Sequence, residues 1–392
     1  MSSLRAYLFL VALGLSLLGL VMIYSATYRY HGTGFLIQRL VHLAAGLVVF
    51  AAASRVRYTV WRRYAPALYV VVLLSLILVL VPGIGTEIGG ARRWFVVGPV
   101  SLQPAEFAKI AAVLVLSCAL GRLPRGCGLP PKPLLMVGAL FVLVLVEPDF
   151  GTSVVLLAGV AGALWASEVR TRDLVLSGIG TFAALVVVML LAPYRRERFL
   201  TFLDPWAVAD GSGYQVVQSM TAIKAGGLFG AGAGAGGQGP YVPQIGTDMI
   251  FALIGEELGL LGMVGVIAAF GFIALAGLKI ALGAPSVMAR CVAAGLTTVL
   301  TVQAVFNVGA AMVVLPLTGM TLPFVSHGGS SLLVCFAAVG ILYRISEDSE
   351  RAREITPRTS RGSADVATNT TADLDRRRRH GRARHPRPVR GG

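Results

Sequence analysis

The chain has 392 residues, of which 56% are hydrophobic and only 14% charged, with a formal net charge of +15. Its mean hydropathy of +0.76 excludes an ordinary soluble domain and indicates an integral membrane protein. The four cysteines show neither a disulfide framework nor metal-ligand spacing.

Apolar runs long enough to cross a bilayer recur along almost the whole chain, since a spanning helix needs about 20 residues. They lack the alternation of membrane strands, so we expect helices, and the predicted fold is an all-α, polytopic bundle with about ten transmembrane helices. The first run begins like a secretory signal after Arg5, but its length and the spans behind it favour a retained helix. The expected bounds are 6–27, 34–53, 64–82, 104–121, 134–147, 150–167, 174–193, 248–278, 290–313 and 328–345.

Basic residues gather in alternate short loops, which predicts the orientation of the bundle. They are Arg55, Arg57, Arg62, Arg63, Arg122, Arg125, Lys132, Arg170, Arg172, Lys279 and Arg290. By the positive-inside rule, these loops and both termini are cytoplasmic. The segment 83–103 and a large loop between helices 7 and 8, residues 194–247, are then extracytoplasmic.

The outer segments have different patterns. Residues 83–103 read as an ordered interfacial or re-entrant loop, in which Arg92 and Arg93 could hold phosphate by bidentate bonds or only anchor to headgroups. In the second segment, the apolar spacing of 214–223 predicts an amphipathic surface helix. The Gly/Ala tract 225–239 then permits left-handed backbone and close approaches.

Ionisable residues inside the spans are costly, so their depth is informative. They lie in the outward half of spans two, four and eight, which predicts one polar cavity open to the outside. Glu106 and Lys109 share a helix face and could pair within this cavity or only stabilise each other. The full set is Arg39, His42, Glu106, Lys109, Asp248, Glu256 and Glu257.

The segment LPLTGMTLPFVSHGGSS, residues 315–331, cannot continue a helix because of its prolines and glycines. Irregular backbone at membrane depth is tolerated where it lines a cavity or is buried in protein. Gln303 and Asn307, in the span before it, are expected to be structural rather than catalytic.

The C-terminal region differs from the rest in composition. Residues 351–392 contain 12 arginines against four acidic residues, a net charge of +8, and almost no apolar residues. We therefore divide the chain into a membrane domain, 1–347, and a disordered basic cytoplasmic tail, 348–392. Beside a membrane, anionic lipids or acidic proteins are more suitable partners for this tail than nucleic acid, which we do not expect to bind.

Several motifs occur together in the order found in the SEDS family (shape, elongation, division and sporulation). They are GGARRW, LQPAEFAKI, EPDFGTS, GSGYQVVQS, AGGLFG, GTDMIFALIGEELGLLG and LPLTGMTLPFVSHGGSS. The resemblance covers roughly residues 6–345 and looks closer to the division branch. It implies a ten-helix peptidoglycan glycosyltransferase that polymerises lipid II on the outer face of the bacterial plasma membrane. It also implies a class B penicillin-binding protein as transpeptidase partner, with other divisome or elongasome proteins.

The resemblance assigns the essential acid of the family to Asp248. It also points to a set of substrate-binding residues, which we extend with Arg92 from the phosphate argument. This set is Arg92, Arg93, Trp94, Gln103, Glu106, Lys109, Glu257, Ser326, His327, Gly328, Gly329 and Ser330. The chain departs from the usual pattern at Gln244, Gly246 and Met249 around the acid, and at His327, where the family usually has tyrosine.

The implied chemistry suits these residue types. A sugar hydroxyl becomes nucleophilic as its proton is removed, so Asp248 is the expected general base. The leaving pyrophosphate needs cations, for which Lys109, Arg92, Arg93 and Arg39 are candidates. A divalent cation, Mg²⁺ or Mn²⁺, could share that task, but no metal-ligand spacing demonstrates one.

Two other functions fit the same composition. A flippase or transporter of lipid-linked precursors would also need intramembrane charges, but alternating access favours polar groups at the midplane rather than near the outer surface. A catalytically weak scaffold for a class B penicillin-binding protein is the second alternative.

Overall fold

The computed structural model describes residues 2–380 apart from 89, 99, 125, 192, 212 and 238–240. Arg125 of a predicted cytoplasmic loop, residues 238–239 of the Gly/Ala tract and residues 381–392 of the predicted tail lie outside this description. The helices of the described chain are α1 Ser2–His31, α2 Gly34–Arg55, α3 Tyr58–Leu80, α4 Pro104–Leu120, α5 Pro131–Val146, α6 Phe150–Trp165, α7 Thr171–Leu191, α8 Pro193–Leu203, α9 Tyr214–Gly226, α10 Ile250–Leu282, α11 Val287–Ala311 and α12 Gly329–His380.

Seven of these helices contain a stretch long and apolar enough to cross a membrane: α1, α2, α3, α7, α10, α11 and α12. The helices α5 and α6 are apolar but shorter. The predicted multi-pass helical membrane protein is therefore confirmed. The predicted amphipathic surface helix is α9, which begins at Tyr214 as expected.

The segment 83–103 corrects the all-α prediction, because it forms a small antiparallel sheet in the order β1-β2-β3. The strands are β1 Thr86–Ile88, β2 Ala91–Val97 and β3 Val100–Leu102. The β-branched and aromatic residues of β2 favour extended backbone. Gly90 and Gly98, with φ of 77° and 60°, lie between the strands in the left-handed conformation that suits tight hairpin turns.

The sheet has a bulge at Arg93. Glu87 pairs with Arg92, but Thr86 pairs with Trp94, so Arg93 is an extra residue in β2. A bulge bends its strand and redirects one side chain. The bulge therefore gives Arg93 a direction that a regular strand would not.

The helix α4 packs against α6 and α11 at the centre of the bundle. Although α4 has only 17 residues, almost all of them are buried. Glycines allow this close packing: a Cβ on Gly159 would lie 2.4 Å from Val299, and one on Gly295 would lie 2.6 Å from Val113. The position of α4 also encloses its charged residues, Glu106 and Lys109.

The helix α10, which occupies the expected span 248–278, is not continuous. It breaks at Gly259, which has φ 65° and ψ −163°. The Gly/Ala tract supplies partners for the backbone groups left free by the break. Ala231 N–H donates to Glu256 C=O at 2.9 Å, and Gly227 C=O accepts from Leu260 N–H at 2.9 Å. The close approach predicted for this tract therefore serves to seal a broken helix.

The helix α12 continues to His380, whereas the sequence predicted disorder from residue 348. Ion pairs at helical spacing stabilise the helix beyond residue 345, the expected end of the span, for example Arg344 to Asp348 at 2.8 Å. Arg5 of α1 also pairs with Glu350 at 3.1 Å. The beginning of the predicted tail is thus helical and tied to the N-terminal helix.

Candidate active site

A cavity of about 340 Å³ lies between the small sheet, α4, the α5–α6 turn, α8 and the segments 244–248 and 316–331. Eight predicted site residues line it: Arg93, Trp94, Gln103, Glu106, Asp248, His327, Gly328 and Ser330. The other predicted site residues are not among its lining residues: Arg92, Lys109, Glu257, Ser326 and Gly329. The cavity therefore brings together residues that are far apart in the chain.

Asp248 lies in a turn just before α10. Thr247 N–H and Met249 N–H both donate to Gln244 C=O, at 3.0 and 3.2 Å, and Gln244 has a left-handed φ of 56°. Asn307 Nδ2 donates to Asp248 C=O at 2.9 Å. The backbone of Asp248 is thus fixed while its side chain remains part of the cavity wall. Asn307 donates to the backbone here, in agreement with the structural role expected of it.

The surroundings of Asp248 favour a proton on its carboxyl group. Burial is the main cause and raises its pKa from 3.8 to about 6, although the charge of Arg198 lowers it. Asp149 raises the pKa further, and Arg93 lowers it. A Cβ placed on Gly319 would lie 3.6 Å from Asp248 Oδ2 and 3.9 Å from Arg198 Nη1, so both charges reach the same part of the cavity. A carboxylate with this pKa can accept a proton near neutral pH.

Arg93 is held at the corner between α5 and α6. Its Nε donates to Glu147 C=O at 2.7 Å and its Nη2 to Pro148 C=O at 2.9 Å. The Glu147 carboxyl group is fully buried, and burial raises its pKa to about 9, with Asp149 adding to the rise and Arg93 opposing it. Glu147 is therefore protonated near neutral pH and does not neutralise Arg93. The Arg93 charge remains available to an anion in the cavity.

Gln103 connects three walls of the cavity. Its Nε2 donates to Asp149 Oδ2 at 2.8 Å, and its backbone N–H donates to Ser330 Oγ at 2.9 Å. Asp149 caps α6, because its Oδ1 accepts from Thr152 N–H at 3.0 Å. The small sheet, α6 and α12 are thereby fixed relative to one another.

Glu106 and Lys109 form a buried ion pair with Nζ to Oε2 at 2.8 Å. Lys109 also donates to Gln303 Oε1 at 2.7 Å, and Gln303 Nε2 donates to Thr321 C=O at 3.0 Å. Only Glu106 lines the cavity; Lys109, 1% exposed, lies behind it. Lys109 therefore holds Glu106 in place rather than contacting a ligand directly.

Arg39 supports the segment 316–331 and is not among the residues that line the cavity. It is fully buried and donates to the carbonyl groups of Ser326, at 2.8 Å, and of Phe324. The supported segment in turn holds the turn before α10, because Ser326 Oγ donates to Thr247 C=O and His327 N–H donates to Gly246 C=O. Arg39 and Ser326 thus support the turn that carries Asp248, and neither is among the lining residues of the cavity in which they were expected to bind substrate.

The order and placement of these elements match known proteins. The family model for the cell cycle protein family of FtsW, RodA and SpoVE matches residues 5–351. The chain belongs to this family. Stage V sporulation protein E of Bacillus subtilis (strain 168) is 35% identical over 354 residues, 87% of this chain and 96% of that protein. The probable peptidoglycan glycosyltransferase FtsW of Coxiella burnetii is 38% identical over 363 residues, 88% and 96% of the two chains.

Solved structures of the family are also similar. One chain, from a peptidoglycan synthase complex that coordinates polymerization and crosslinking, superposes with a TM-score of 0.74 at 33% identity, covering 87% of this chain and 97% of that chain. The rod shape determining protein RodA of Thermus thermophilus superposes with a TM-score of 0.66 at 29% identity, covering 87% and 96%. The SEDS resemblance is therefore confirmed.

Glu257 and Arg92 have surroundings that differ from those expected for cavity residues of this FtsW, RodA and SpoVE family member. The Glu257 carboxylate accepts a hydrogen bond from Ser25 Oγ of α1 and is not among the lining residues of the cavity. Arg92 pairs with Glu87 at 3.2 Å on the exposed face of the sheet. Gly329 packs against His42, which leaves no room for a side chain there. The surroundings of Glu257 depend on the break in α10, and those of Arg92 depend on the sheet.

Two charged cavity residues of this family member were missed by the sequence analysis. Asp149 lies in the quoted motif EPDFGTS, and its position just before span six was a signal for a helix cap. Arg198 belongs to the charged segment YRRERF after span seven, which forms α8. Within the described residues, no group of three or more His, Cys, Asp or Glu side chains could hold a metal ion.

Proposed function

We propose that the chain is a peptidoglycan glycosyltransferase that polymerises lipid II on the outer face of the bacterial plasma membrane during division or growth. One observation carries the proposal: the Asp248 carboxyl group shares a cavity with Arg93 and Arg198 and has a pKa near 6. The FtsW relatives, which are named as probable peptidoglycan glycosyltransferases, support it.

The reaction needs a base and an anion site close together. Asp248 takes the proton from the acceptor hydroxyl as its oxygen attacks the anomeric carbon of the donor. The bond from that carbon to the pyrophosphate breaks, and the negative charge that develops is stabilised by Arg93 and Arg198. A positioned base of this kind contributes about 10²–10⁴-fold to the rate.

The proposed topology has ten spans, with both termini in the cytoplasm and a large outer region between the seventh and eighth. Three short helices of 16 or 17 residues, α4, α5 and α6, complete the ten with the seven long ones. The elements that form the cavity belong to the loops predicted to be outside, together with the outer ends of adjacent spans. This placement suits polymerisation outside the membrane better than alternating access.

We also propose a class B penicillin-binding protein as the partner. A similar solved chain comes from a complex that coordinates polymerization with crosslinking, which supports a transpeptidase beside this chain. In that arrangement, lipid II is consumed by this chain and its product is crosslinked by the partner.

Purified protein with its cognate transpeptidase, incubated with lipid II, tests the proposal. Wild type should form glycan polymer and Asp248→Ala should form none, while Glu87→Gln, at an exposed carboxylate outside the cavity, should behave as wild type. Equal polymer from wild type and Asp248→Ala would remove Asp248 as the base. If no variant forms polymer while lipid II crosses liposomes that contain the protein, the transport function is correct instead.

A further inference from the structure

A second cavity, of about 180 Å³, lies beside the Asp248 cavity. It is walled by α8, α9, the end of α11 and residues 313–317. The two cavities share Arg198 and Leu317 as lining residues, and Arg198 Nη1 lies 3.5 Å from Leu317 C=O. Only this guanidinium and one leucine are common to both walls among the described residues.

The helix α8 presents different side chains to the two cavities. Phe199 lines the Asp248 cavity, whereas Phe202 lines the second one, and their ring centroids are 6.3 Å apart. Glu197 and Thr201 also face the second cavity. One helix thus contributes side chains to the walls of both cavities.

The backbone at Val313 is strained where it forms the wall of the second cavity. Val314 N–H donates to Gly309 C=O at 2.7 Å, and Val313 N–H donates to Ala310 C=O at 3.2 Å, which is the Schellman pattern at the end of α11. That pattern places a left-handed residue at position 313, usually glycine, but here a valine has φ 59°. Strained residues of this kind gather at ligand sites.

The lining of the second cavity suits a neutral sugar. Glu197, Thr201 and Gln215 offer a carboxylate, a hydroxyl and an amide to hydroxyl groups, while Phe202 and Val216 offer apolar surface to the C–H face of a ring. The Glu197 carboxylate disfavours a second pyrophosphate, and Arg198 is the only cation among the described lining residues of this cavity. Four polar or charged side chains among the ten lining residues, Glu197, Arg198, Thr201 and Gln215, do not suit a lipid tail.

We propose that the second cavity binds a sugar unit of the growing glycan strand, next to the sugars that react at Asp248. Arg198, at the boundary, contacts the pyrophosphate on one side and the strand on the other. This inference rests on the proposed polymerase function. Its consequence is that the strand stays bound between additions, so that the cavity sets the length of the product.

The test compares two tryptophan substitutions on α9, Gln215→Trp and Gln218→Trp. Both glutamines are half-buried, but only Gln215 lines the second cavity. With labelled lipid II and the partner transpeptidase, the length distribution of the glycan is read on a gel at equal lipid II consumption. Loss of one sugar contact should lower the ratio of elongation to release roughly tenfold in Gln215→Trp and leave Gln218→Trp with chains of wild-type length.

Chains of wild-type length from Gln215→Trp, even with slower consumption of lipid II, would overturn the inference and leave the polymerase function intact. Absence of polymer from wild type would instead refute the polymerase function itself. If Gln215→Trp does not form a monodisperse complex with the partner, Phe202→Ala carries the same test, since it removes the aromatic surface without adding bulk.

Discussion

Asp248 lies just before the first half of α10, which ends at Gly259, and Glu256 and Glu257 lie within that half. The surroundings of Asp248 nevertheless differ sharply from those of the two glutamates. Asp248 lines a cavity that it shares with Arg93 and Arg198. Glu256 and Glu257 are almost fully buried. Glu257 accepts hydrogen bonds from Ser25 and from the backbone of Gly234, while Glu256 packs against Gly236.

The difference shows what distinguishes a functional carboxylate from a structural one in an apolar run. Position in the apolar run does not distinguish them, because all three acids belong to one hydrophobic segment. Access to a cavity that contains cations distinguishes them, since a base must reach the substrate and exchange its proton. Glu257 instead connects α10 to α1 and to the Gly/Ala tract through its hydrogen bonds.

Glu106 is the intermediate case, because it lines the cavity but is 6% exposed and paired with Lys109. Lys109→Met would leave this carboxylate buried without its cation, which typically costs about 3–5 kcal/mol. We expect a large fall in the unfolding temperature of the purified protein. The double variant Glu106→Gln/Lys109→Met should regain much of that stability but not polymerisation. If the double variant polymerised lipid II at the wild-type rate, Glu106 would be a structural carboxylate like Glu257.

The packing of α9 against the first half of α10 can be disrupted at Gly226. A Cβ there would lie 1.9 Å from Gly255 C=O, so Gly226→Ala must separate α9 from α10, at a cost of about 1–3 kcal/mol or more. Gly237→Ala is the matched control, because nothing lies within 4 Å of its Cβ position. Thermal unfolding of both variants measures the difference. Equal unfolding temperatures would mean that the tract is not packed as described.

The sequence was sufficient to predict the elements that depend on local composition. Apolar runs determine where spanning helices form, so α2 and α11 begin within three residues of their expected starts. The same runs predicted that Glu106 and Asp248 share one polar cavity, and both residues line the cavity. Hydropathy and charge are thus enough to find the bundle and its polar end.

Non-local pairing explains what the sequence did not reveal. The strands at 86–102 are stabilised by one another, so no single run records them. The place of Glu257 depends on the break at Gly259, which is stable only because a distant glycine tract satisfies its backbone. Arg198 was missed because α8 is charged and short, and only its packing shows that it faces Asp248.

The pH dependence of the polymerisation rate should distinguish Asp248, as a general base, from the buried Glu256 and Glu257. Only the ionised form can act as a base, so the rate should fall about tenfold per pH unit below a pKa near 6 and level off above it. The stability of the fold should change with pH in the opposite direction to the rate, because folding raises the pKa of Asp248. The contribution of Asp248 to the free energy of unfolding is therefore fully present at low pH and is lost as the pH rises through about 6. Rates of lipid II polymerisation from pH 5 to 8 measure the first effect.

Asp248→Asn is the control for the effect on stability, because it removes the titrating group and should flatten the change in unfolding temperature between pH 4 and 6. A rate that is independent of pH over the whole range would contradict a base with this pKa.

The smallest effect is expected at Arg92, beside the redirected Arg93. Arg92 forms an exposed ion pair with Glu87, a contact that typically contributes less than about 1 kcal/mol. Arg92→Ala should therefore leave the polymerisation rate and the unfolding temperature close to wild type, whereas Arg93→Ala should lower the rate because it removes a cation from the cavity. Equal losses in both variants would show that the arginines act together on the phosphate, and the bulge in β2 would then not separate their roles.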